Sequence, residues 1–212
     1  MEHTPHNPKE DLQAIREIME RSSRFLSLSG ISGVFAGAVG LIGALAAYMI
    51  LPDLSALAAA GFEGTFNGLT LSTLILYMAV NLLLVLMVAV VGAVYFSVKK
   101  ARKANQPFWN TSTKRMINYF LIPFVTGGVF ILILVFRNDL ELVAPAMLIF
   151  YGLALVNAGK FTLSEVHYLG ITEIVLGLMA AVFINWGLLF WALGFGVMHI
   201  VYGMVMYYKY ER

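Results

Sequence analysis

The chain contains no cysteine, which excludes disulfides, thiolate-bound metals and thiol nucleophiles, and leaves no mark of the redox compartment. Charge is scarce too. Asp, Glu, Lys and Arg make up only 12% of the 212 residues against 60% hydrophobic, and the mean hydropathy is +0.81, so there is too little polar surface to coat a soluble globule. There is no HExxH pair, no GxSxG elbow and no glycine-rich phosphate loop, and no second acid stands where it could work with the single acid inside an apolar run. An enzyme is not expected, nor a cofactor. His3, His6 and His167 are too scattered to assemble a metal site.

What the chain has is hydrophobic length. Crossing a bilayer takes about 20 apolar residues, and six runs qualify: 28–51, 69–98, 116–136, 140–158, 168–185 and 187–208. The expected fold is all-α, a polytopic membrane protein whose six transmembrane helices form three hairpins in one domain, 28–212. Residues 1–27 are charged throughout and lack the apolar core of a cleavable signal, so the first helix is expected to remain in the mature protein.

Lysine and arginine are retained on the cytoplasmic side of a membrane, and every basic residue but Arg137 falls on one side of a six-span chain. Asp53, Glu63, Asp139 and Glu141 fall on the other. Both termini are therefore expected in the cytoplasm, with the protein in the cytoplasmic (inner) membrane. The segment "NPKEDLQAIREIMERSSRF" reads as an amphipathic helix opened by Asn7 and Pro8, with Leu12, Ile15, Met19, Ser22 and Leu26 along one stripe. It either lies on the cytoplasmic leaflet or docks a protein partner through residues 8–27. The run "KKARKANQPFWNTSTKR" supplies Lys99, Lys100, Arg102, Lys103, Lys114 and Arg115 with no acid, and reads as contact with anionic lipid rather than with nucleic acid.

Glycine is not scattered in these runs. Gly30, Gly33, Gly37, Gly40, Ala44 and Ala47 recur at spacings of three and four, one seam along which backbones can approach closely. The fifth span carries Gly170, Glu173, Gly177 and Ala180 at the same spacing, and the sixth carries Ala192, Gly196, His199 and Gly203. Each of these stripes holds one ionisable residue. Counted from a turn at Trp186, Glu173 and His199 lie equally far back along their helices, at a depth of ~20 Å for ~1.5 Å per residue. The spacing predicts a level Glu173 to His199 pair inside a close-packed hairpin, in which removal of Glu173 alone strands His199. A buried carboxyl at that depth is either interhelical glue or a proton or ligand site.

The hairpin that opens with "ITEIVLGLMAAVF" and closes with "LGFGVMHIVYGMVMYYKY" resembles the glycine-punctuated hairpins of the HdeD-like acid-resistance family of six-helix bacterial membrane proteins. The resemblance covers roughly the last 45 residues. It implies a small inner-membrane stress protein without an enzymatic core, and it transfers no functional residues. Two function classes stand at this point. One is a non-enzymatic membrane module for stress, sensing or partner recruitment; the other is a small proton-linked transporter or channel using Glu173 and His199, with a homo-oligomer as one way to build a pore.

Overall fold

In a computed structural model, the described residues are 28–50, 65–66 and 69–212. The expected amphipathic helix of residues 8–27, together with Asp53 and Glu63, lies outside them. Among the described residues, six helices are long and apolar enough to cross a membrane, and the structure is all-α apart from a two-residue ladder that pairs Thr65 with Thr70 and Phe66 with Leu69.

The first helix, α1, spans Gly30–Ile50. Its glycines would weaken a helix in water, but where no water competes, every backbone N–H and C=O must be satisfied within the segment, and the helix is what does so. The second, α2, spans Leu71–Lys103 and is capped by the Thr70 hydroxyl, which accepts from Thr73 N–H. At 1.5 Å per residue its 33 residues reach about 50 Å, well beyond an apolar core of about 30 Å, so the Lys99 to Lys103 turn projects past that core. Asn105, with φ of 51°, turns the chain out of α2. The third helix, α3, spans Thr111–Phe136, and the side chain of Asn110 caps it by accepting from Thr113 N–H at 2.8 Å. The cap adds a turn to the expected span and places Lys114 and Arg115 on the helix.

The fourth span opens with a 3-10 turn, Leu140–Leu142, and continues as α4, Val143–Gly159. Pro145 stands in the first turn of α4, where its missing N–H would have had no helical partner anyway. The fifth helix, α5, spans Ser164–Val182, four residues earlier than the apolar run, and so includes Glu165 and His167. The sixth span is composite: a 3-10 turn Ile184–Trp186, a short α6 Gly187–Trp191, a π-helical segment Ala192–Met198, and α7 His199–Tyr210.

These elements form two groups of three. One has α1 between α2 and the sixth span; the other has α4 between α3 and α5. The glycines explain the grouping. A Cβ added at Gly30 or Gly33 would collide with the backbone at Gly203, one at Gly37 would fall 2.5 Å from the Gly196 carbonyl oxygen, and one at Gly40 2.5 Å from that of Phe195. On the other side, a Cβ at Gly170 would fall 2.7 Å from the Gly152 carbonyl oxygen and one at Gly177 2.9 Å from Ile149 N. The stripes of the fifth and sixth spans therefore do not close on each other as the sequence suggested. Gly170 and Gly177 receive α4, whereas Gly196 and Gly203 receive α1. Spans five and six meet along a line that neither stripe closes, and there the two groups adjoin.

Candidate functional site: a buried carboxyl between two helix groups

Glu173 lies three residues after Gly170 and four before Gly177, on the side of α5 that turns into the bundle, and its side chain is fully buried. Its carboxyl rests against Gly194, in the π-helical segment of the sixth span, so closely that an added Cβ would collide with Oε2 of Glu173 and with Leu148. The π-helix carries more than the usual residues per turn, and such segments concentrate at functional sites. Here the wide turn and the missing side chain of Gly194 together make the space that the carboxyl occupies.

His199 is the first residue after the π-helical segment and is buried. Its Nδ1 lies 3.0 Å from the Gly194 carbonyl oxygen and 3.4 Å from Oε1 of Glu173. A carbonyl can only accept, so Nδ1 carries the hydrogen. In the neutral ring Nε2 is then an acceptor, and the Tyr151 hydroxyl, 2.8 Å away on α4, donates to it. The Tyr151 and His199 rings stack with centroids 5.5 Å apart, and Phe195 lies against both. Both histidine nitrogens are thus satisfied without Glu173. The expectation that removing the glutamate strands the histidine is corrected accordingly.

The unsatisfied partner is the acid. Neither Oε1 nor Oε2 of Glu173 has a hydrogen bond, and the 3.4 Å approach of Nδ1, whose hydrogen is directed at the Gly194 carbonyl, is a proximity rather than a directed bond. An ionised carboxylate without donors in an apolar surrounding costs several kcal/mol.

Further polar contacts follow the line where α5 meets the sixth span. The Thr172 hydroxyl donates to the Tyr168 carbonyl at 3.0 Å and lies 3.2 Å from the Tyr202 hydroxyl. Farther along, Glu165 accepts from Lys209 Nζ at 2.6 Å and from the Tyr210 hydroxyl at 3.0 Å. At the same end Glu211 joins Lys100 at 3.2 Å and accepts from the Ser29 hydroxyl and from Gly30 N–H, while Lys100 also donates to the Leu28 carbonyl at 2.7 Å. Of the six bases expected to meet anionic lipid, Lys100 thus turns inward. Lys99, Arg102, Lys103, Lys114 and Arg115 are exposed around the connection from α2 to α3. This end of the bundle is called the basic end below.

Two site residues were missed by sequence reasoning, Tyr151 and Gly194. The signal for Tyr151 was its position, in the middle of a span rather than in the belt near a membrane surface where tyrosine usually sits. Gly194 lies off the small-residue stripe, and only the π-helical offset turns it toward α5. Elsewhere, Asn81 of α2 donates to the Gly43 carbonyl of α1 at 3.0 Å. Among the described residues, no group of three or more His, Asp or Glu could hold a metal ion. No protein-family model matches the chain, and neither does any curated protein or solved structure.

Proposed function

We propose that this chain is a non-enzymatic integral protein of the cytoplasmic membrane that responds to protonation of Glu173, with His199 and Tyr151 as the partners of that proton. The observation that carries the reading is the carboxyl itself. It is fully buried and without a hydrogen bond, yet it stands 3.4 Å from a histidine that a third helix holds from its far side. Interhelical glue would be expected to form the bond that this carboxyl lacks. The same reading places both termini and the basic end in the cytoplasm, with the exposed bases against anionic lipid and residues 8–27 available to the leaflet or to a protein partner. Membership of the acid-resistance family that the last hairpin resembles belongs to this proposal, as a role in which proton binding is the signal.

A second reading, a proton-linked transporter, is favoured by the location of the site where two helix groups adjoin, because motion of one group against the other exposes a buried site to alternate sides. Liposomes containing the purified protein decide between the two. If a pH gradient drives flux through the wild type and Glu173→Gln abolishes it while remaining folded, the protein is a transporter. No flux, but a thermal midpoint that varies with pH in the wild type and not in Glu173→Gln, supports the sensing module. Identical pH dependence in both proteins without flux overturns the proton reading. Orientation is checked by cysteine labelling in intact cells, where Asn138→Cys should react from outside and Asn105→Cys should not.

A further inference from the structure

The surroundings of Glu173 differ sharply in its two directions along the bundle. Toward the turn between the fifth and sixth spans, every residue from Ile174 to Val182, from Gly187 to Met198 and from Val143 to Phe150 is apolar or glycine, with the Trp191 indole N–H as the one donor. Leu148, Ala180 and Phe190 pack there as a buried cluster with Leu176 and Phe195 against it. Toward the basic end, polar groups recur on both facing helices: Thr172, the residue before Glu173, with Tyr202, three residues after His199, then Glu165 with Lys209 and Tyr210. Between those two polar levels lie seven to eight residues, about 10 to 12 Å, and the gap is filled by a buried apolar cluster of Leu155, Leu163, Val166, Leu169 and Met206, in which Leu169 and Met206 stand midway between the levels on the two facing helices.

We propose that Glu173 exchanges its proton with the basic end only. The route runs through Thr172 and Tyr202, across one apolar constriction formed by Leu169 and Met206, to a mouth marked by Glu165. With the Thr172 hydroxyl donating to the Tyr168 carbonyl, Tyr202 donates to Thr172, and the pair can relay a proton once the Thr172 hydroxyl turns from that carbonyl; Tyr202 is three residues from His199 on the same helix. Constrictions of apolar side chains gate by wetting and drying, so Leu169 and Met206 set the rate at which the proton passes. The titratable groups that face Glu173 are His199 from the sixth span and Tyr151 from α4; α1, which packs behind His199, has only Tyr48 among titratable residues, and that side chain is exposed. The inference rests on the proton reading above and adds the side and the path.

The test uses the full chain in vesicles of uniform orientation, selected through a cysteine placed at Asn105, the only one in the protein. The infrared carbonyl stretch of protonated Glu173, assigned by its loss in Glu173→Gln, is followed after a rapid pH step in the bath. With the basic end facing the bath, the band responds before the vesicle lumen equilibrates; with the other end facing it, the band waits for the lumen. Tyr202→Phe combined with Thr172→Val slows the first response at least tenfold, and Leu169→Asn speeds it. Equal responses from the two faces, or rates untouched by the Tyr202 and Thr172 changes, overturn the path while leaving a titrating Glu173. A band that responds from neither face overturns both the path and the proton reading.

Discussion

The sixth span meets α1 on one side and α5 on another, and the two interfaces are built of opposite materials. Against α1 it presents Gly196 and Gly203, and main chain approaches main chain along the Gly30 to Gly40 seam. Against α5 it presents His199, Tyr202 and Lys209, and the contacts are the 3.4 Å approach of His199 to Glu173, the Tyr202 to Thr172 hydrogen bond and the Lys209 to Glu165 ion pair. Where apolar solvent gives helices no reason to associate, small residues provide close van der Waals packing, and the helices that own them choose each other regardless of order along the chain. Polar side chains then collect at the boundary that the glycines leave unclosed. Close main-chain packing and buried polar groups are thus assigned to different faces of one span.

The largest effect should come from breaking the seam. In Gly37→Leu and Gly203→Leu the new side chain meets backbone atoms of the facing helix, which cannot swing aside as a side chain can, so the cost exceeds the 1–3 kcal/mol usual for overpacking. Neither variant should elute from size-exclusion chromatography in detergent as a single folded species. Gly196→Leu should be milder, because an added Cβ there meets the Leu41 side chain first. Gly128→Leu should behave as wild type, since nothing lies within 4 Å of a Cβ at that position. Equal tolerance of all four would dissolve the comparison.

Changes at the polar boundary should be smaller and of unequal sign. His199→Leu leaves the Tyr151 hydroxyl without its acceptor and should cost about 1–3 kcal/mol, whereas Tyr151→Phe should cost about 1 kcal/mol. Glu173→Leu removes a buried polar group that makes no hydrogen bond, so its thermal midpoint should equal or exceed that of the wild type. A midpoint for Glu173→Leu below that of His199→Leu would mean that the carboxyl is a structural bond after all. Smallest of all should be Asp139→Asn, about 1 kcal/mol or less, because its ion pair with Arg137 is open to solvent with side-chain exposures of 41% and 72%.

The six spans were legible in the sequence because hydropathy is a local sum, and the helices that form are the apolar runs plus their caps at Thr70 and Asn110. The closeness of Glu173 and His199 was legible as well, since equal counts from one turn place two residues at one level whichever helices they pack against. The partners of the stripes were not. A glycine spacing says that a helix has a close neighbour but carries no name for it, and the two spans joined by the shortest turn were the natural and mistaken choice. Nor was the π-helical segment legible, because "ALGFGVM" has no proline and its glycines look like those of the packing stripes, and the widened turn at Gly194 becomes visible only with the Glu173 carboxyl lying against it.

If Glu173 is the proton site proposed above, its protonation should shift the titration of His199, 3.4 Å away. The direct measurement is nitrogen-15 solid-state NMR of histidine-labelled protein in bilayers across a pH series, with the His199 signals assigned by their loss in His199→Asn. At neutral pH Nδ1 should be protonated and Nε2 not, as their partners require, and Glu173→Gln should move the midpoint of the His199 titration. A midpoint identical in the wild type and in Glu173→Gln would contradict that proposal.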